Sequence, residues 1–267
     1  MPGAHDALTA RMIEAAGFQA YGIGGSALAA CQLGLPDVGL QSFGEYRDAV
    51  GRILEGVRLP VMVDGENGFG DRKAVTRCVR AFEALGVGGV AFEDLVMPVV
   101  LGRPPAVVER AEIEAKLWAA LAARESDDML IIGRTDAAYA VSEDEALLRA
   151  GRFEQLGVDA IIAPGLAGID SYKRLRDAVK VPVIAVVVPG APWFAPTSEQ
   201  LNAIGIEAAI YPATVLWRVV AAIDEGLQSL NAGLGGPPEG FDIRRMGEIL
   251  GVSEWTRIDQ SSAIRGD

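Results

Sequence analysis

Two short acidic segments carry the residues best suited to chemistry. One is VDGENGFG at Val63–Gly70, and the other is AFED at Ala91–Asp94. Each follows an apolar run typical of a strand, so carboxylates stand where the run ends. Carboxylates that converge at strand ends repel one another unless positive charge lies between them. Because the donors are all oxygen atoms, a hard cation such as Mg²⁺, or alternatively Mn²⁺, is favoured over zinc.

Three of these acids are candidate metal ligands. Asp64 and Glu66 stand two positions apart, so in an extended chain both side chains point the same way. Glu93 ends the next strand, and in α/β barrels chemistry lies at the C-terminal ends of strands. The alternative is that such acids cap helices or carry solvated loop charges. That alternative explains one acid better than three on consecutive strands, so Asp64, Glu66 and Glu93 are the predicted metal site.

Arg134 is a further candidate, because it ends the very apolar run at Ile131–Ile132. A buried arginine needs an anionic partner, which would be a substrate carboxylate or Asp136. Gly24, Gly25 and Ser26 follow another strand-like run. Their backbone N–H groups could hold a carboxylate or phosphate, or could simply form a tight turn.

The spacing around Gly22–Ser26 does not match a dinucleotide fingerprint. His5 is the only histidine, and packing or capping is its expected role. A Ser-His-Asp or Cys-His mechanism is therefore disfavoured.

Strand-like runs alternate with helical segments along most of the chain, which predicts a (β/α)₈ TIM-type barrel, with a doubly wound open sheet as the alternative. A first strand at Met1–Ala4 would be short, as if truncated. The other predicted strands are 20–24, 60–64, 89–93, 129–135, 159–163, 181–188 and 208–211. The predicted helices are 6–16, 42–55, 72–85, 110–124, 142–156, 170–179, 197–204 and 213–230, with Ser142–Glu145 and Thr197–Gln200 as capping boxes.

The pattern changes after residue 230, so we assign 1–230 to the barrel and 231–267 to a tail. Residues 231–240 are rich in glycine and proline, and short helices are predicted at 241–250 and about 253–259. Such a tail packs on its own barrel or on a neighbouring subunit, and we favour the neighbour.

Composition excludes several classes of partner. The net charge is −12 and the pI about 4.7, which argues against nucleic acid and anionic membrane surfaces. No apolar run is long enough for a membrane span, and no export signal is visible, so a soluble cytoplasmic protein is expected. Cys31 and Cys78 lack metal-type spacing and are predicted to be two buried helical thiols.

Several motifs taken together resemble the isocitrate lyase/phosphoenolpyruvate mutase superfamily. The similarity extends over almost the whole chain, including the tail at 244–258. The motifs are PGAHDALTAR at 2–11, LGLPD at 33–37, DGENGFG at 64–70, FED at 92–94 and GRTDA at 133–137.

The resemblance implies a Mg²⁺-dependent barrel that acts on an α-keto or α-hydroxy carboxylic acid through an enolate. Asp64, Glu66 and Glu93 would bind the metal directly or through water, and Asp37 matches an acid that borders it. Asp37 and Arg134 are then the expected catalytic residues. Amides of Gly24, Gly25 and Ser26 would take the substrate carboxylate, with Arg134 on its other side. Family members typically form tetramers with swapped C-terminal helices, so a homotetramer is expected.

The chain also departs from the family pattern. Leu101 stands where the lyases carry an acidic cysteine, and Pro164 replaces a glutamate. The segment Val186–Pro189 replaces a polar one, and Glu66 is longer by a methylene than the usual aspartate. Much of the shell around a second substrate has therefore become apolar.

Decarboxylation of an oxaloacetate-like acid fits these departures best, since water can protonate the enolate. The alternatives are cleavage of a 2-methylisocitrate- or dimethylmalate-like acid, hydrolysis or rearrangement of a phosphonopyruvate-like acid, and a non-catalytic barrel that binds a small acid.

Overall fold

The computed structural model describes residues 1–206, 208–236, 240 and 242–263. Residues 237–239 of the predicted linker, the start of the predicted helix at 241, and residues 264–267 lie outside the described residues. The boundary placed after residue 230 stays a prediction.

Within the described residues, eight parallel strands form a nearly closed ring in which each strand pairs with the next along the chain. Hydrogen bonds from the Gly3 N–H to the Tyr211 carbonyl (3.0 Å) and from the Tyr211 N–H to the Met1 carbonyl (2.9 Å) join the ends. The barrel prediction is confirmed, and the open-sheet alternative is excluded. The strands are β1 (Gly3–Ala4), β2 (Tyr21–Ile23), β3 (Val61–Asp64), β4 (Gly89–Glu93), β5 (Leu130–Arg134), β6 (Ala160–Ile162), β7 (Val183–Val186) and β8 (Ala208–Ile210).

The barrel interior is apolar at its base and polar on one side of its mouth. Alternate strand residues point inward, and the inward residues form one apolar cluster: Met62, Ala91, Ile132, Ala160, Ile162, Ile184 and Ile210. Asp64 follows Met62 by two positions, and Arg134 follows Ile132 by two. Both polar side chains therefore enter the mouth at the C-terminal ends of the strands.

The helices form the outer layer and bury their apolar faces against the strands. Those between β1 and β5 are α1 (Ala7–Ala15), α2 (Gly25–Leu28), α3 (Phe43–Leu54), α4 (Arg72–Ala84) and α5 (Arg110–Ala123). The later ones are α6 (Ala137–Ala140), α7 (Glu143–Leu156), α8 (Ile169–Ala178), α9 (Ser198–Ala203), α10 (Thr214–Asn231), α11 (Ile243–Ile249) and α12 (Val252–Ala263). No helix of the described ranges is long and apolar enough to cross a membrane.

Two local predictions need correction. The capping box is present at Thr197–Gln200, but at Ser142 only half of it forms. Ser142 accepts from the Glu145 N–H, while the Glu145 carboxylate binds Arg110 and Arg149 instead. The prediction of two buried thiols is also wrong for one of them. Cys78 is buried, whereas Cys31 is exposed, because it lies in a π-helical turn at Ala29–Leu33 on the surface.

Candidate active site

The end of β3 places two carboxylates beside the barrel mouth. The Glu66 N–H donates to Asp64 Oδ1 at 3.0 Å. Glu66 has φ of 53°, in the left-handed region that residues other than glycine rarely adopt. The Glu66 carbonyl accepts from the Glu93 N–H at 2.9 Å. The turn after β3 is thereby tied to the end of β4, and the structure brings the three predicted ligand residues into one neighbourhood.

Arg134 joins the carboxylates of this neighbourhood. Its Nη1 donates to Asp64 Oδ2 at 2.8 Å, and its Nη2 lies 2.9 Å from Glu93 Oε2. The same Nη2 donates to Asp136 Oδ1 at 2.9 Å. Asp136 is thus a partner, as the sequence suggests, but the contacts to Asp64 and Glu93 were not predicted.

Burial makes this cluster electrostatically costly. The pKa values of Glu66 and Glu93 lie well above the ordinary range, chiefly because burial disfavours the charged form and also because neighbouring carboxylates repel it. Burial likewise raises the pKa of Asp64, while Arg134 opposes that rise. Without further positive charge these carboxyl groups favour their protonated form, and a bound cation would favour the charged form instead.

The donor set fits a hard divalent cation. Four carboxylates, Asp37, Asp64, Glu66 and Glu93, feel one another's field, and Arg134 lowers the pKa of each. A divalent ion would neutralise the excess negative charge, and oxygen-only donors suit Mg²⁺ or Mn²⁺. No three His, Cys, Asp or Glu side chains of the described residues already stand as a complete ligand set. We therefore expect the side chains of this cluster to move when a metal ion binds.

Asp37 approaches the cluster from the loop between the π-helical turn and α3. Together with Glu66 it lines a cavity of about 420 Å³ that opens beside the barrel mouth. Its pKa is raised by desolvation first and then by the charge of Asp64. The structure thus places this predicted catalytic residue within electrostatic reach of Asp64, on the wall of the cavity.

Gly24, Gly25 and Ser26 form the start of α2 on the other side of Glu66. Gly24 lines the mouth together with Asp64 and Arg134, whereas the Ser26 side chain is exposed. Gly25 lies directly against the Glu66 carboxylate, since a Cβ built on Gly25 would stand 1.4 Å from Glu66 Oε1. Only glycine leaves room for Glu66 in this position.

We expect Gly25→Ala to displace the Glu66 carboxylate and to reduce activity by at least about 100-fold. The matched control is Gly151→Ala, because a Cβ at this helical glycine meets no atom within 4 Å. Alanine there should keep activity and raise stability by about 0.5 kcal/mol. Steady-state kinetics and urea unfolding of both variants test the prediction. Full activity of Gly25→Ala would show that the position of Glu66 is unimportant.

A buried ionic network next to the site was not predicted from the sequence. Asp94 is fully buried and accepts from Thr135 Oγ1 at 2.7 Å, from the Asp136 N–H at 2.8 Å and from Arg149 Nη1 at 3.0 Å. Arg149 Nε in turn donates to Glu145 Oε1 at 2.7 Å. Asp94 thus holds Thr135 and Asp136, the two residues that follow Arg134 along the chain.

The opposite half of the mouth is apolar. Ile162, Val186, Ile210 and Pro212 line it, in agreement with the apolar replacements seen in the sequence. Leu101, which stands at the position of the lyase cysteine, is 74% exposed on its loop. His5 is buried with Nε2 3.2 Å from Thr9 Oγ1, which confirms a packing role.

Curated relatives agree with the lyase class predicted from the sequence. The chain is 34% identical to a 2,3-dimethylmalate lyase of Eubacterium barkeri over 224 residues, which cover 83% of this chain and 78% of that protein. It is 32% identical to an oxaloacetate decarboxylase of a Bradyrhizobium species over 234 residues, which cover 87% of this chain and 80% of the relative.

Solved structures share the fold over nearly the full length. An oxaloacetate acetylhydrolase in complex with 3,3-difluorooxalacetate superposes with a TM-score of 0.92 at 26% identity, over 98% of this chain and 91% of the other. A phosphonopyruvate hydrolase with oxalate and Mg²⁺ gives a TM-score of 0.83 at 26% identity, over 97% and 92%. The family model described as phosphoenolpyruvate phosphomutase matches residues 1–231. The chain therefore belongs to the phosphoenolpyruvate mutase/isocitrate lyase superfamily, as its motifs predict.

Proposed function

We propose that the protein is a Mg²⁺-dependent carbon–carbon lyase that decarboxylates an oxaloacetate-like 2-oxo acid. The observation that carries the proposal is the cluster of Asp64, Glu93 and Arg134 at the barrel mouth, where carboxylates and one guanidinium meet. Relatives named as an oxaloacetate decarboxylase and a dimethylmalate lyase support the reaction class. Mn²⁺ is the alternative ion.

Asp64, Glu66 and Glu93 would hold the metal ion, directly or through water. The bound ion would draw electron density from the keto oxygen of the acid and stabilise the charge that develops during bond cleavage. The phosphonopyruvate hydrolase with oxalate and Mg²⁺ supports this assignment, because oxalate presents the same pair of adjacent oxygens as a 2-oxo acid.

The protein's own residues would orient the acid. The Arg134 guanidinium would hold one carboxylate by its planar fork of donors. Backbone N–H groups at Gly24, Gly25 and Ser26 would bind the other side of that carboxylate. With oxaloacetate, the C3–C4 bond breaks, CO₂ leaves and its bonding electrons form the enolate. A proton from water, relayed by Asp37 at the edge of the cavity, then restores C3 and gives pyruvate.

The apolar half of the mouth favours decarboxylation. A carboxylate next to Ile162, Val186 and Ile210 loses hydration, which favours its departure as uncharged CO₂. Cleavage of a dimethylmalate-like acid is the second candidate, favoured by the 34% identical relative. It needs an acid to protonate the departing fragment, and the exposed Leu101 cannot supply one. Phosphonopyruvate chemistry and acid binding without turnover are the remaining alternatives.

The proposal is tested by purified protein with Mg²⁺ and oxaloacetate, with pyruvate measured by a coupled assay. We expect pyruvate release well above the rate of Mg²⁺ alone, abolished by a chelator and restored by Mg²⁺ or Mn²⁺. Dimethylmalate and phosphonopyruvate, assayed in parallel, separate the alternatives. An oxaloacetate rate equal to that of the metal alone, together with turnover of another acid, would reject the assignment.

We also propose that the protein forms a homotetramer through its C-terminal helices. None of the residues of α10, all of them described, is buried, although one face carries Trp217, Val220, Ile223, Leu227 and Leu230, each about half exposed or more. A second copy of the chain would cover this stripe. Light scattering should give a tetramer that dissociates in Val220→Glu/Ile223→Glu, and a wild-type monomer at tens of micromolar would reject the proposal.

A further inference from the structure

Two openings of very different size border the acid cluster. The one over the barrel axis holds about 50 Å³ and is lined by Asp64, Arg134, Gly24 and the apolar side chains of the mouth. That volume accommodates a few atoms at most. The second opening holds about 420 Å³ and reaches Asp37 and Glu66 from the side. The side cavity is the larger of these two spaces and includes Asp37 and Glu66 of the cluster, so it offers room for a sizeable group attached to the reacting acid.

The wall of this side cavity is largely apolar, and its charged side chains are acidic. It is built from three loops, at 36–43, 66–70 and 97–98. Its apolar side chains are Ala29, Pro36, Val38, Leu40, Phe43, Phe69, Met97 and Pro98. Among the described lining residues, the charged ones are Asp37 and Glu66, both acidic, and no lysine, arginine or histidine takes part.

One polar group of the wall is unused. Gln41 Nε2 is buried and has no hydrogen-bond partner among the described residues. A buried amide without a partner costs free energy, so a rotated Gln41 would gain by donating to an oxygen atom in the cavity. The described part of the wall thus offers apolar contact and uncharged polar side chains such as Gln41 and Asn67, but no basic side chain for a second anionic group.

We propose that the side cavity selects acids that carry at C3, besides the departing carboxylate, an uncharged substituent several carbons long. This inference rests on the proposed function, because it assumes that the 2-oxo acid end lies at Asp64 and Arg134. A second carboxylate or a phosphoryl group in the cavity would meet the acid Asp37 and no basic side chain of the described wall, and would lose its hydration without compensation. A neutral chain would instead bury its methylenes against Val38, Phe69 and Met97.

Equilibrium binding of unreactive acids in the presence of Mg²⁺ tests the inference without relying on turnover. The probes are oxalate, then the unbranched 2-oxo acids from pyruvate to 2-oxohexanoate, then 2-oxoadipate. We expect affinity to rise about two- to fourfold per added methylene. The dicarboxylate 2-oxoadipate has the same chain length as 2-oxohexanoate, so this pair isolates charge, and we expect it to bind at least about tenfold more weakly.

A cavity-filling variant tests whether the rise of affinity with chain length arises in the side cavity. Val38→Trp should remove most of the gain with chain length, whereas Leu148→Trp, which changes a half-exposed residue of α7, should keep it. If oxalate binds but affinity does not change along the series of 2-oxo acids, the inference alone would be overturned. Equal binding of 2-oxoadipate and 2-oxohexanoate would have the same consequence. Failure of every acid to bind, oxalate included, would reject the proposed function and the inference with it.

Discussion

Arg134→Met is expected to lower kcat/KM for the 2-oxo acid by about 10³-fold or more. Arg134 contacts Asp64, Glu93 and Asp136 within 2.9 Å, so methionine removes the cation that three carboxylates share. An uncompensated buried charge costs about 3–5 kcal/mol, and stability at neutral pH should fall by a similar amount. Lysine retains the charge but not the planar fork, so Arg134→Lys should recover stability better than activity.

Arg152→Met is the matched control for this prediction. Arg152 also pairs with a glutamate, Glu114, but its side chain is half exposed and does not line the barrel mouth. Exposed ion pairs contribute little to stability, so this variant should keep its activity. Steady-state kinetics and urea unfolding of Arg134→Met, Arg134→Lys and Arg152→Met measure the loss of activity and the loss of stability separately. Wild-type kcat/KM in Arg134→Met would contradict both the role of Arg134 and the position of the site.

Asp94→Asn is expected to have the second largest effect, although Asp94 does not line the mouth. Its carboxylate accepts from Thr135, Asp136 and Arg149, and asparagine leaves the Arg149 guanidinium buried without that charge. We expect a loss of about 3 kcal/mol in stability. The loosened segment after Arg134 should also lower kcat about tenfold or more at a temperature where the variant is folded.

The double variant Asp94→Asn/Arg149→Met separates stability from positioning. Replacing both partners removes the buried guanidinium that has lost its Asp94 partner and keeps only Glu145, so part of the stability should return. Activity should stay low, because Thr135 and Asp136 still lack their charged anchor. Asp144→Asn, at an exposed acid on the same helix as Arg149, is the control. Recovery of activity together with stability in the double variant would show that the network supports only the fold.

The order of the fold could be predicted from the sequence, but some of its details could not. Alternating apolar runs and glycine-ended helices specify the repeated unit, because both are local signals. Helix α6 at 137–140 and the π-helical turn at 29–33 were missed, since neither has a periodic pattern of its own. The exposure of Cys31 depends on that turn and was therefore also mispredicted.

The candidate site was predictable in its residues more than in its contacts. Asp64, Glu66, Glu93 and Arg134 were identifiable because charged residues that end apolar strands are costly unless they are used. The contacts of Arg134 with Asp64 and Glu93 depend on the alignment of neighbouring strands around the barrel. Asp94 and Arg149 are 55 positions apart, and no local pattern links them. The one available signal was Asp94 itself, a second acid directly after Glu93.

The most direct test of the account is anomalous diffraction from crystals soaked with Mn²⁺ and oxalate. We predict one Mn²⁺ ion among Asp64, Glu66 and Glu93, with oxalate beside it and the Arg134 guanidinium turned from Asp64 and Glu93 toward the oxalate. The peak should vanish in Asp64→Asn and persist in Asp71→Asn, which changes an exposed helix-capping acid on the same loop. A wild-type crystal with saturating Mn²⁺ but no peak there, and with Arg134 still bound to Asp64 and Glu93, would contradict the proposed metal-dependent chemistry.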